Sequence, residues 1–233
     1  MNRRDAADLA GSVGLGAWVA FGLLGMVVIG GGGAPLFPDH DLLAWCAGHR
    51  PAAAVALARG VTATGTGVIP YALVLLAAAV AGRTARQRAV AAALGVGCLA
   101  AGQAVRHGVM EFVARPRPPR PEWDAYATGW AFPSGHTTTA ALTAGLLVLA
   151  LRLRAPRGRT PLCLAAGCWG LLVGLTRVYL GVHWFTDVLG GWLFAAGWLG
   201  ACGGAAARWL PGSLVGDGRE SARSAAARDG GGP

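Results

Sequence analysis

The sequence predicts an all-α, polytopic membrane helical bundle with about six transmembrane helices. Three observations carry this. Of the 233 residues, 54% are hydrophobic and only 13% are charged, and the mean hydropathy is +0.48; that composition belongs to the membrane class. Several windows reach the roughly 20 apolar residues needed to cross a hydrocarbon core of about 30 Å. Glycine is heavily used, at 38 residues, which suits helices that approach closely in lipid.

The first span is expected at 10–31. It lacks a small-residue cleavage site, so it reads as a retained span rather than a removed leader. The second is expected at 62–81; the stretch before it, 51–64, contains Arg59 and can stand as a separate interfacial helix. The third covers 89–112, the fourth 136–152, the fifth 161–180 and the sixth 184–206. Residues 1–211 would form one transmembrane domain. Residues 212–233, mostly Gly, Ser, Ala and charged residues, are expected to be a disordered tail.

Arginine placement sets the expected orientation. Arg3 and Arg4, then Arg83, Arg86 and Arg88, then Arg152, Arg154, Arg157 and Arg159, and finally Arg208, Arg219, Arg223 and Arg228 all fall on one side of six spans. The positive-inside rule makes that side, with both termini, cytoplasmic. The long loop 113–135 on the opposite side breaks the bias with Arg115, Arg117 and Arg120. Charge near a membrane is costly and calls for a use.

The net charge of +9 comes from arginines scattered between apolar segments, with no lysine anywhere. No basic face forms, so nucleic acid is excluded as a partner in favour of topology signals and anionic lipid. The five cysteines include no CxxC pair, and neither a zinc site nor a disulfide framework is indicated.

Three polar islands interrupt the apolar sequence, and the six-span topology brings them to one membrane surface. The first, "MEFVARPRPPRP" (110–121), holds Arg115 and Arg117 on proline-stiffened chain. Guanidinium forks suit phosphate oxygens, although arginines at helix ends also snorkel to headgroups. The second, "PSGH" (133–136), offers Ser134 as an N-cap, Gly135 for close backbone approach and His136 at a helix mouth. Helix N-termini hold anions; the plainer reading is a simple cap. The third, "TRVYLGVHWFTD" (176–187), contains Arg177, His183 and Asp187. The (i, i+4) spacing lets Asp187 accept from the imidazole Nδ1 of His183 and leave the other nitrogen free, or the pair can simply tie two helices together.

Taken together, two imidazoles, one carboxylate, several arginines and a helix N-terminus occur without a metal-ligand cluster. That set suits phosphoryl transfer through a phosphohistidine. Trp123, Tyr126 and Trp130 suit the interfacial belt.

These blocks resemble the type 2 phosphatidic acid phosphatase (lipid phosphate phosphatase) family, whose helical core is shared with vanadium haloperoxidases. The family pattern is K-x6-R-P, P-S-G-H and S-R-x5-H-x3-D. "PSGH" matches in full, and 176–187 matches with Thr176 for Ser. The resemblance covers roughly residues 50–205. It implies an integral membrane phosphatase, needing no metal or cofactor, that acts at the extracytoplasmic side of the cell membrane on a lipid phosphate or diphosphate such as phosphatidate, phosphatidylglycerol phosphate or polyprenyl diphosphate. It further implies His183 as nucleophile, Asp187 as its orienting partner and His136 as general acid. Arg117, Arg177, Ser134 and Gly135 would bind phosphate. The Arg-only, Ala- and Gly-rich composition hints at a high-GC bacterial genome.

The first block departs from the pattern. Arg117–Pro118 fits its end, but Met110 stands where the family has Lys. Arg106, one helical turn earlier, is a candidate replacement, and Arg115 a supporting one. The alternative reading is a non-catalytic or weakly active membrane protein of the same fold, binding or transporting lipid. A haloperoxidase is disfavoured by the membrane spans.

Overall fold

A computed structural model describes residues 3–154 and 159–209. The expected tail, 212–233, lies outside the described residues, as does Arg157. Eight α-helices are described: α1 (Arg3–Gly30), α2 (Asp39–Gly48), α3 (Ala52–Ala63), α4 (Val68–Ala81), α5 (Ala85–Val113), α6 (Gly135–Arg154), α7 (Arg159–Tyr179) and α8 (Phe185–Trp209). No strand occurs among the described residues, and the all-α expectation is met.

Five helices, α1 and α5 to α8, are long and apolar enough to cross a membrane. The separate helix expected at 51–64 is present as α3, and the span expected at 62–81 begins only with α4. α3 and α4 meet at 55° and count as a sixth span only if joined. The break is written in "TGTG", Thr64 to Gly67. Gly67 has φ +66°, a left-handed conformation that a side chain disfavours. Thr64 anchors the bend, its hydroxyl accepting from Trp169 Nε1 at 2.8 Å. The short α2, before α3, was not read from the sequence.

α8 is the central helix, packed against α1, α5, α6 and α7. Glycines make this possible: a methyl on Gly14 of α1 would lie 2.8 Å from Gly200 Cα of α8. Phe21, Phe132 and Phe194 are buried together, with Phe132 stacked on Phe21 at 5.6 Å. That cluster anchors the chain just ahead of "PSGH".

The helices alternate in direction. The end of α5, the start of α6, the end of α7 and the start of α8 therefore meet at one end of the bundle. The opposite end gathers Arg83, Arg86, Arg88, Arg152, Arg154 and Arg159, and Arg154 Nε donates to Ala81 O at 2.6 Å there. α5 opens at that end with a capping box between Thr84 and Gln87. It closes at the other on Ala114, in the left-handed conformation with φ +48°. This turn, costing a non-glycine residue about 1 kcal/mol or more, redirects the chain into the proline-rich loop and points Arg115 inward.

Candidate functional site

The site grows from the meeting of α6 and α8. Gly191 allows the contact: a methyl there would lie 2.9 Å from Thr137 Cβ and 3.1 Å from Ser134 O. Ser134 N donates to Asp187 O at 3.1 Å, tying the mouth of α6 to the first turn of α8. The Ser134 hydroxyl accepts from Thr137 Oγ1 at 3.0 Å.

His183 precedes α8 rather than starting it, so the expected helical (i, i+4) pair is instead a turn closed by Asp187. Trp184 N donates to Asp187 Oδ2 at 2.9 Å, and the same oxygen faces His183 Nδ1 at 3.4 Å. Arg117 Nη1 donates to His183 Nε2 at 2.8 Å. A guanidinium can only donate, so Nε2 carries the lone pair and Nδ1 the hydrogen. The imidazole is therefore held in the tautomer whose outer nitrogen carries no hydrogen. Burial, then the charges of Arg117, Arg177 and His136, hold the His183 pKa well below its ordinary value. That direction favours the neutral ring.

Arg117 is fixed by five hydrogen bonds. Beside His183, its partners are the carbonyls of Val182, Gly129, Thr128 and Trp130, at 2.8 to 2.9 Å. Burial pushes its pKa down to about 10, which leaves it charged. Arg177, 2% exposed, donates to Thr62 Oγ1 at 3.2 Å, while its Nε is buried without a partner among the described residues.

A cavity of about 620 Å³ opens beside these groups, lined by Arg59, Thr62, Trp123, Tyr126, His136 and Arg177 among others. His136 makes no hydrogen bond among the described residues and faces this space. The roof is pinned down: Arg59 Nε donates to Asp124 O at 2.6 Å and Arg50 Nη1 to Glu122 O at 2.8 Å. Tyr126 is 86% exposed, as an interfacial anchor would be, whereas Trp123 folds inward and donates to Pro118 O.

Arg106 reaches this site. A methyl on Gly135 would lie 3.4 Å from both its Cζ and its Nη1, so its guanidinium lies over the first residue of α6. Nη1 donates to Met110 Sδ at 3.2 Å, and Nε is buried without a partner among the described residues.

Arg115 departs from its expected supporting role in phosphate binding. It is fully buried and uses every N–H inside the protein, toward Asp187 Oδ1 (2.6 Å), Asp39 Oδ2 (2.8 Å), Thr186 Oγ1 (2.7 Å), Ala34 O (3.1 Å) and Gly33 O (3.3 Å). The two arginines of "RPR" thus bracket one pair: Arg117 touches the histidine and Arg115 the aspartate. Asp39 and Thr186 were not singled out from the sequence. The only available signal was an acidic side chain beside a membrane span.

Among the described residues no three His, Cys, Asp or Glu side chains form a metal-binding group. The arrangement defines a class: a multi-pass helical membrane protein with a histidine- and arginine-lined cavity at one end of its bundle. The sequence model of the PAP2 superfamily matches residues 91–209, and the chain belongs to that superfamily. A 69-residue stretch is 39% identical to phosphatidylglycerophosphatase B of Bacillus subtilis (strain 168), covering 28% of this chain and 34% of that relative. The match thus spans about a third of the relative's length. The fold resembles the crystal structure of a transmembrane PAP2-type phosphatidylglycerolphosphate phosphatase from Bacillus subtilis, with a TM-score of 0.69 and 21% identity over 85% of this chain and 98% of that one.

Proposed function

We propose that the protein is a membrane phosphatase that hydrolyses the phosphomonoester headgroup of a lipid through a phosphohistidine on His183. Phosphatidylglycerol phosphate is the first substrate to test, because both Bacillus relatives carry names for that activity. The observation that carries the reading is the orientation of the His183 ring, with Asp187 facing Nδ1 and an Arg117 donor on Nε2.

The chemistry follows from the residues. The phosphate enters through the cavity beside His136 and Arg177, and Arg117 turns its Nη1 hydrogen from His183 to a phosphate oxygen. His183 Nε2 then attacks phosphorus. The bond from phosphorus to the lipid oxygen breaks, and His136 delivers its proton to that oxygen. Arg117, Arg177 and the N–H groups at the mouth of α6 stabilise the equatorial oxygens. Water, deprotonated by His136, attacks the phosphorus next. The N–P bond breaks, and phosphate and the neutral imidazole are restored. The expected cell-membrane location, with the site extracytoplasmic and the termini cytoplasmic, is supported by the arginines at the opposite bundle end.

Phosphate release from the lipid by purified protein in detergent with EDTA present tests this reading. Turnover is expected without added metal; absence of turnover across phosphatidate, phosphatidylglycerol phosphate and a polyprenyl diphosphate would support the non-catalytic alternative.

Arg106 stands in for the missing lysine in this proposal. Arg106→Ala is expected to lower kcat/KM by about two orders of magnitude, the effect of losing one charged transition-state contact. Adding Met110→Lys to that variant should restore much of it. Unchanged turnover in Arg106→Ala would remove the residue from the site.

The pH profile has a worked sign. Neutral His183 is the active form, and its lowered pKa keeps that form present as pH falls below the ordinary histidine value of about 6.5. The acid limb should therefore lie lower than an ordinary imidazole gives. An acid limb in kcat centred near 6.5 that disappears in an Asp187 variant would contradict the assignment.

A further inference from the structure

Asp39 opens α2, far in sequence from the residues above, and both its carboxylate oxygens are occupied. Oδ1 accepts from Thr186 N at 2.9 Å. Oδ2 accepts from Leu36 N at 2.9 Å, Thr186 Oγ1 at 2.7 Å and Arg115 Nη2 at 2.8 Å. The side chains of Asp39, Arg115 and Asp187 are all 0% exposed. The result is a continuous buried chain: Asp39, Arg115, Asp187, His183.

The order of charges along that chain has a consequence. A guanidinium 2.6 Å from Asp187 Oδ1 would by itself cancel the negative charge that His183 needs. A second carboxylate on the outer edge of the same guanidinium restores it, leaving two negative groups and one positive. When His183 takes up phosphorus its ring becomes cationic, and a net negative neighbourhood in a low-dielectric interior favours that step. Stability alone is a poor reason for such a cluster, because burying ion pairs rarely gains more than desolvation removes.

We propose that Asp39 is a positioning residue for phosphoryl transfer, holding Arg115 in place and offsetting its charge so that the field of the buried chain at His183 stays negative. The proposal rests on His183 being the nucleophile. The groups facing that ring are Asp187 beside it, Arg117 from the loop, Arg177 from α7 and His136 from α6. None of them contacts Asp39, so its influence passes through Arg115 and Asp187.

The test is a mutant cycle in detergent-purified protein, with turnover of the lipid phosphate and formation of a base-stable phosphoenzyme as readouts. Asp39→Asn, which keeps shape and removes charge, should lower kcat and the rate of phosphoenzyme formation by about tenfold with KM nearly unchanged. Arg115→Gln should also impair turnover. The double variant, which removes both charges, should be severalfold more active than Asp39→Asn alone. Additive losses in the double variant, or an unchanged kcat in Asp39→Asn, would overturn the proposal. Should Asp39→Asn fail to fold, Thr186→Val reports instead, since it removes the hydroxyl linking Asp39 and Arg115; a fall in kcat is expected, and an unchanged kcat is contrary. His183→Ala run alongside separates the two levels. Activity surviving in that variant overturns His183 as the nucleophile, on which this proposal rests, whereas a dead His183→Ala beside a fully active Asp39→Asn overturns only the role of Asp39.

Discussion

Replacing His183 with Ala should reduce phosphate release from a lipid phosphate by at least about a thousandfold, since the variant lacks the atom that forms the covalent bond. The side chain is 2% exposed and held on both nitrogens, so the substitution also leaves a cavity. His183→Gln is the better companion variant, keeping volume and polarity without a nucleophilic nitrogen. Both should fold, with the elution profile of wild-type protein in detergent, and both should still bind substrate, because Arg117, Arg177 and Arg106 remain. Loss of turnover with retained lipid binding is the expected pattern. Turnover within tenfold of wild type in either would mean that water attacks phosphorus directly.

The second large effect is expected at His136. It opens α6 and lines the cavity, and it has no structural hydrogen bond to lose among the described residues. Its proposed work is proton delivery, worth roughly a hundredfold to ten-thousandfold. That work matters only where the leaving oxygen is a poor leaving group. His136→Ala should therefore lose about two orders of magnitude or more on a lipid alkyl phosphate, and far less on an aryl phosphate such as p-nitrophenyl phosphate. Rate constants for a series of phosphate esters, plotted against leaving-group pKa, check this. The slope should steepen in the variant; an equal loss on every ester would assign His136 to binding instead.

Much of the fold was legible because long apolar windows have few alternatives in lipid. The five unbroken spanning helices fall where hydropathy put them. The separate helix expected at 51–64 is α3, whereas the span expected at 62–81 was started too early: continuous hydropathy passes over Gly65 and Gly67, yet the two helices meet there at 55°. α2 was missed for a related reason. Ten residues, Asp39–Gly48, are too few to span and too mixed in polarity to show a clear apolar face.

At the site, block spacing pointed to Arg117, His136, Arg177, His183 and Asp187, and these lie at one end of the bundle. What spacing could not do was tell Arg115 from Arg117. Two arginines two residues apart in "RPR" look equivalent, and tertiary partners decide between them. Arg117 meets the carbonyls of 128–130 and the His183 ring, whereas Arg115 meets Asp39 across 76 positions of sequence. Asp39 was invisible for the same reason, since a single Asp between Pro38 and His40 reads as a loop residue until the guanidinium it holds is placed. The substitution of Met110 drew attention to Arg106, whose long side chain does reach the mouth of α6.

The most direct test of the account is to quench the enzyme in alkali during turnover of a phosphate-labelled lipid and map the label by mass spectrometry. Phosphate on the Nε2 atom of His183, formed and lost at rates matching turnover, is the expected result. Label on any other residue, or its absence under conditions where turnover proceeds and phosphohistidine survives, would contradict it.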